Sequence, residues 1–179
     1  MTDEVPFSRP VRVEPLPRDG FTQTIEADAA ERAALAADSG LAAIGSLTAN
    51  FTLRKSGRHG VRVVGSVHAE VTQTCVVSLE PFEAVVDEPI DVRYASEPPR
   101  RKEGDKEPET VVFDAEDPPD PIVDGRVDLG VLAAEFMGLG LDPYPRKPGV
   151  AFEAPEAEPE ADSPFQALAV SGKKDDKKS

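Results

Sequence analysis

Few side chains in this 179-residue sequence are equipped for bond chemistry: one cysteine, Cys75, two histidines, His59 and His68, and no tryptophan. A cysteine nucleophile needs a base within hydrogen-bond reach, and neither histidine is a sequence neighbour of Cys75. Cys75 falls in phase with Val71 and Val77, so it reads as a small buried hydrophobe, inert by burial. Cys75-Val76-Val77-Ser78 has the spacing of a CxxC metal or redox motif but ends in serine. Serine is a poor zinc ligand, and no second thiolate pair exists to complete a tetrahedral site. No GxGxxG or GxxxxGK[ST] run is present to cradle a phosphate. Carboxylates are plentiful but concentrated in Pro- and charge-rich segments, where a solvated charge run is their ordinary role. These residues predict no enzyme, no metal and no cofactor.

The cations are more informative because they are scarce. With 34 Asp and Glu against 20 Lys and Arg, the formal net charge is -14. That balance argues against a protein that coats nucleic acid through its bulk field, since affinity for phosphate rests on Lys and Arg displacing counterions. Against this background Arg54, Lys55, Arg58, His59 and Arg62 gather on one hairpin, and Arg146 and Lys147 follow Asp142-Pro143-Tyr144-Pro145. Local cation clusters can meet RNA phosphate at a few points, and a tyrosine between prolines can stack on a base or pin the chain to the domain. The competing reading of the cations is a solvated turn. No DNA or membrane partner is expected. The N-terminus, MTDEVPFSRPVRVEPLP, lacks the positive segment and apolar run of a secretory signal, and nowhere do 18 apolar residues occur together. A soluble, cytoplasmic protein is the expectation, with which one cysteine, unable to form an internal disulfide, agrees.

The elements that must position these groups centre on residues 61–82. Val61, Val63, Gly65, Val67, Ala69, Val71, Gln73, Cys75, Val77 and Leu79 alternate with Arg62, Val64, Ser66, His68, Glu70, Thr72 and Thr74, the period of a strand with one dry face. A second strand follows the same pattern, with Ala43, Gly45, Leu47, Ala49, Phe51 and Leu53 inward, and residues 54–60, RKSGRHG, connect the two as a hairpin. Residues 1–20, with Pro6, Pro10, Pro15 and Pro17, predict an extended arm or edge strand. Residues 21–95 form a unit of one helix plus antiparallel strands. Within it, 21–27 is a short strand and Asp28 caps a helix over 28–38, where Ala30, Ala33, Ala34, Ala37 and Leu41 share a side, Asp28 faces Arg32, and Gly40 ends the run. Residues 81–95 form a strand broken by Pro89. Residues 96–120 are an acidic, Pro-rich mobile insert with one ordered touch at Val111, Val112 and Phe113. Residues 121–152 complete the domain through a turn at Asp124 and Gly125 and a helix over 128–139, capped by Asp128, with a Leu129, Leu132, Phe136 and Leu139 stripe. Residues 153–179 read as a disordered tail with an apolar island at Phe165, Leu168 and Val170. The expected fold is α+β: a strongly twisted antiparallel sheet of four to six strands, whose twist can roll it partway into a barrel, with two packed helices.

Residues 72–82, TQTCVVSLEPF, followed far downstream by Val127-Asp128-Leu129 through Leu139, Leu141 and Asp142-Pro143-Tyr144-Pro145, resemble the YceD family of large ribosomal RNA subunit accumulation proteins. The resemblance covers residues 43–152 and rests on Cys75, Leu79, Pro81, Asp128, Leu129, Asp142 and Pro143 in that order around a charged spacer. Many members have a second cysteine three positions after the first, where this sequence has Ser78. The resemblance implies a bacterial ribosome-biogenesis factor without catalytic activity, needed for 23S rRNA to accumulate, whose partner is the large-subunit precursor through 23S rRNA, a basic ribosomal protein, or both. The alternative function is an acidic protein-interaction module unrelated to the ribosome, recruiting partners through the insert and tail.

Overall fold

The computed structural model describes residues 5–57, 59–96 and 118–152. The chain divides into two compact units, Met1–Pro148 and Gly149–Ser179, and every element below belongs to the first. In order these are β1 (Pro10–Arg12), β2 (Phe21–Glu26), α1 (Ala29–Asp38), β3 (Ala43–Ser56), β4 (Gly60–Thr74), β5 (Pro81–Ala95), β6 (Asp120–Pro121), β7 (Arg126–Asp128) and α2 (Leu129–Leu139). Arg58, the expected touch at residues 111–113, most of the expected insert and the tail from residue 153 lie outside the described residues.

The fold is α+β, as expected, with two differences in the sheet. Five strands run in the order β2-β3-β4-β5-β6, and β1 pairs with β7 as a separate two-stranded ribbon. The sheet stays open and does not close into a barrel. Nor is it wholly antiparallel, because Tyr94 and Ala95 of β5 pair in parallel with Asp120 and Pro121 of β6. The β3–β4 hairpin forms, but its connection is shorter than the expected 54–60, because Arg54, Lys55 and Ser56 continue β3 and pair with Arg62, Val61 and Gly60 of β4.

One face of β4 is dry: Val61, Val63, Val67, Ala69, Val71, Gln73 and Cys75 are buried, and the residues between them are not. This periodicity stops at Cys75, and Leu79 leaves the series, 76% exposed. On β3 the phase slips once. Ile44 pairs with Val71 and Ser46 with Glu70, so Gly45 is an extra residue. This bulge places Ile44 on the same buried side as Leu47 and leaves Ala43 and Gly45 exposed.

Pro89 does not break β5. Hydrogen bonds from Ser96 N–H to His59 O and from Cys75 N–H to Glu80 O bracket the strand, and the register between them is unbroken. Even-numbered residues of β5 therefore bond to β4, and the nitrogen of Pro89 falls on the outer edge, where no ladder bond is lost.

Asp28 caps α1 by accepting from Ala30 N–H and Glu31 N–H, and Glu31 returns the bond to the Asp28 N–H, closing a capping box. The buried side of α1 is Leu35 and Ala36, whereas Ala30, Ala33, Ala34 and Ala37 are exposed. One leucine outweighs several methyl groups in choosing the face that packs on β3. Arg32 donates to Ala27 O rather than meeting Asp28. Asp128 caps α2 as expected. Leu129, Leu132, Ala133 and Met137 are buried on α2, Phe136 is half-buried, and Leu139 is 71% exposed beyond the packed stripe.

The N-terminal arm binds both helix starts together. Phe7 is buried, Arg9 stacks over its ring and bonds both carboxylate oxygens of Glu31, and Arg9 O accepts from Leu129 N–H. The guanidinium of Arg9 holds the Glu31 carboxyl below the usual range. Among the described residues, no helix is long and apolar enough to cross a membrane.

Candidate partner-contact site

At the end of β4 the chain makes a closed turn. Cys75 N–H donates to Glu80 O and Leu79 N–H donates to Cys75 O, both at 2.9 Å. The N–H groups of Val77 and Ser78 point at Cys75 Sγ, each at 3.4 Å. After α2 the segment of residues 141–148 is strapped against this turn. Val76 N–H donates to Pro145 O at 2.9 Å, the buried Gln73 side chain donates to Asp142 O at 3.2 Å, and Lys147 pairs with Glu80 at 2.8 Å. Asp142 shapes the strap by accepting from Tyr144 N–H at 2.8 Å. Two segments about 70 residues apart in the chain thus build one surface.

Cys75 has no accessible surface. Hydrogen bonds from the Ser78 side chain, Lys147 N–H, Ser78 N–H and Val77 N–H outweigh desolvation and pull its thiol down to about 6. A thiol depressed on folding stabilises the folded state most above its unfolded value, and that contribution is lost as pH falls through about 6. Ultraviolet thiolate absorbance of the native protein is expected to titrate near pH 6, and denaturant stability relative to Cys75→Ala is expected to fall as pH drops from 9 to 6. A native thiol titrating at its unfolded value would contradict this. Alkylation of the folded protein stays slow, because the sulfur is covered.

What the surface offers to a partner lies around the sulfur. Val76 is 46% exposed, Leu79 76% and Tyr144 72%. Leu79 is held at φ 60°, a left-handed conformation costing a non-glycine residue on the order of 1 kcal/mol. A large apolar side chain held outward on strained backbone contributes nothing to the core. Arg146 is exposed beside this patch and has no ion pair among the described residues. Tyrosine and arginine around an apolar centre are the composition of an interface anchor.

The expected site residues separate into two places. Arg54, Lys55, His59 and Arg62 lie at the hairpin end of β4, and Tyr144, Arg146 and Lys147 at the turn end. With 15 residues in β4 at about 3.3 Å each, the two groups stand roughly 46 Å apart along the strand. The hairpin cations also divide. Arg54 and Arg62 are cross-strand partners on the open face, whereas Lys55 and His59 line a depression of about 170 Å³ with Val13 and Leu16 on the other side. Arg62 is engaged by Asp91 through two hydrogen bonds.

The motif residues also take different roles. Pro81 opens β5 and Pro143 is an exposed strap residue. Asp128 and Leu129 are structural, as N-cap and fully buried first residue of α2. His68 meets Asp87 at 2.6 Å on the open face, opposite to the inward side chain of Cys75, so β4 keeps the two apart. Among the described residues, no three His, Cys, Asp or Glu side chains gather where they could hold a metal ion. Sequence reasoning missed Gln73 and Glu80, which hold the strap, and Arg93, which stands opposite Arg62. Strand register was the signal that would have found Arg93.

No curated protein and no solved structure matches the chain. Residues 63–178, more than half of its length, match the family described as large ribosomal RNA subunit accumulation protein YceD. The match begins within β4 and takes in the turn, β5, α2 and the strap, leaving the hairpin cations outside. The chain, with its cysteine turn and proline strap hydrogen-bonded into one surface, therefore belongs to the YceD family of large ribosomal RNA subunit accumulation proteins.

Proposed function

We propose that this protein is a non-enzymatic, cytoplasmic assembly factor that supports accumulation of 23S rRNA by binding the precursor of the large ribosomal subunit. The observation that carries this reading is the exposed surface made where the two family segments converge, with Val76, Leu79 and Tyr144 outward and Arg146 beside them. Binding chemistry suits it better than bond chemistry, since Cys75 is sealed beneath the turn and separated from His68 by the sheet. The family description supplies the ribosomal context. The contact is local, because the net charge of -14 repels phosphate at long range.

Leu79→Asp and Tyr144→Ala test the surface without touching the core. Each is expected to lower co-sedimentation with the large-subunit precursor about tenfold or more, the scale of losing an interface anchor, while circular dichroism and thermal unfolding stay unchanged. Both variants co-sedimenting like the wild type would remove this surface from the account.

A further inference from the structure

We infer that the outer edge of β5, from Glu83 to Asp87, takes up an extended basic segment of another protein as an added strand, with a Lys or Arg of that segment seated between Glu70 and Glu83. β5 runs beside β4 along its whole length, but on its other side only Tyr94 and Ala95 pair, with β6. Even-numbered residues bond to β4, so the N–H and C=O groups of Glu83, Val85 and Asp87 point away from the sheet. Among the described residues, none of these groups has a hydrogen-bond partner. Natural sheets guard a free edge with proline, bulges or charge. Pro89 removes an outward donor only beyond Asp87, and no bulge interrupts the register of residues 83–87, so this stretch stays open to main-chain pairing.

Charge selects the occupant. No Lys or Arg occurs between Arg62 and Arg93, and α2, which packs on β5, carries no cation. Lys147, at the turn before Pro81, is paired with Glu80. Glu70 stands opposite Val85 and accepts from the Ser46 hydroxyl at 3.1 Å, Asp87 meets His68 at 2.6 Å, and Glu83 has no partner among the described residues. With Gly45, Thr72 and Val85, the two glutamates line a depression of about 290 Å³ that can admit the end of a Lys or Arg side chain. A Cβ at Gly45 would stand 3.8 Å from Glu70 Oε2, so glycine keeps that side open. A second copy of β5 is the wrong guest, because an antiparallel pair centred on Val85 sets Glu83 against Asp87. Alternate residues of an added strand share one face. A guest with an apolar residue between two such cations therefore matches Glu83, the 60% exposed Val85 and Asp87 in turn.

This edge is a different surface from the one around Leu79, and its test uses purified components. The probe is a labelled synthetic peptide with Lys-Thr-Val-Thr-Lys at its centre, and fluorescence anisotropy with the full chain reads its binding. The same peptide N-methylated at the central valine and the lysine after it keeps its charge but cannot donate to β5, and is expected to bind about tenfold more weakly or worse. Glu83→Lys, at an exposed side chain, is expected to weaken the parent peptide about tenfold. Asp38→Lys, the same charge change at the end of α1, is expected to bind like wild type. Amide hydrogen exchange is expected to slow at Val85 and Asp87 when the peptide is added, while Ala84 and Val86, already bonded to β4, change little. An N-methylated peptide bound as tightly as the parent, wild-type affinity in Glu83→Lys, an equal loss in Asp38→Lys, or unchanged exchange at Val85 and Asp87 would each overturn the inference. Any of these results leaves the assembly role standing, since that role rests on the surface around Leu79.

Discussion

Asp128→Ala is expected to lower the unfolding free energy by about 3 kcal/mol, a fall of about 8 °C in Tm for a domain of this size. The carboxylate accepts from Gly130 N–H at 2.9 Å and Val131 N–H at 3.2 Å as the cap of α2. It also accepts from Arg9 N–H at 2.7 Å and from the Ser8 hydroxyl, tying the N-terminal arm to the same helix. Loss of a cap costs about 1 kcal/mol, and bonds to a charged acceptor are worth about 1.5 to 3 each before water replaces them. Water recovers part of that at a half-buried site, which sets the total near 3. Asp128→Asn keeps an oxygen for the N–H donors and is expected to cost about 1 kcal/mol. Urea unfolding measures both. An alanine variant within about 1 kcal/mol of wild type, or an asparagine variant as damaged as alanine, would show that the junction does not hold α2 and the arm together.

Gly65→Val is expected to be at least as damaging, costing about 3 kcal/mol or more. A Cβ at Gly65 would stand 2.0 Å from Asn50 O and 3.0 Å from its carbonyl carbon. Both are backbone atoms of the neighbouring strand β3 and cannot swing aside as a side chain can. The β3–β4 ladder would have to part at its middle, where Gly65 faces Phe51. Gly138 on α2 is the control, since a Cβ there meets nothing within 4 Å. Gly138→Ala is expected to stabilise by about 0.5 to 1 kcal/mol through helix propensity alone. A Gly65→Val protein that unfolds at the wild-type urea midpoint would contradict the packing described for the central strands.

The sheet was legible in the sequence wherever apolar residues alternate without interruption. Val61 through Val71 gave the period of β4, and the short polar loop before it gave the hairpin. Both helix caps were legible too, because Asp28 and Asp128 each precede an apolar periodic run and satisfy its first N–H groups. What periodicity does not carry is a slip in phase. The bulge at Gly45 swaps Ile44 inward and Ala43 outward, and no residue type announces it. The buried side of α1 was misread because four alanines, Ala30, Ala33, Ala34 and Ala37, suggested a face where Leu35 decides it. Pro89 suggested a broken strand because the outward phase of its nitrogen depends on pairing with β4, a long-range fact.

The candidate site was half legible. Its residue types could be named, but not that the strap at Pro145 bonds the turn at Val76 or that Gln73 and Glu80 anchor it. The hairpin cations looked like one cluster in the sequence and are divided by the sheet into two faces. Arg93 joins Arg62 only through register.

These features make β4 the spine of the molecule, with an arginine row at one end and an apolar, aromatic knob at the other. The proposed role is tested most directly by sucrose-gradient sedimentation of cell extract with the tagged full chain, followed by crosslinking and identification of the bound RNA. The account predicts that the chain travels with the large-subunit precursor and crosslinks to 23S rRNA or to a protein bound to it. A chain that stays at the top of the gradient, with 23S rRNA levels unchanged when it is deleted, would contradict it.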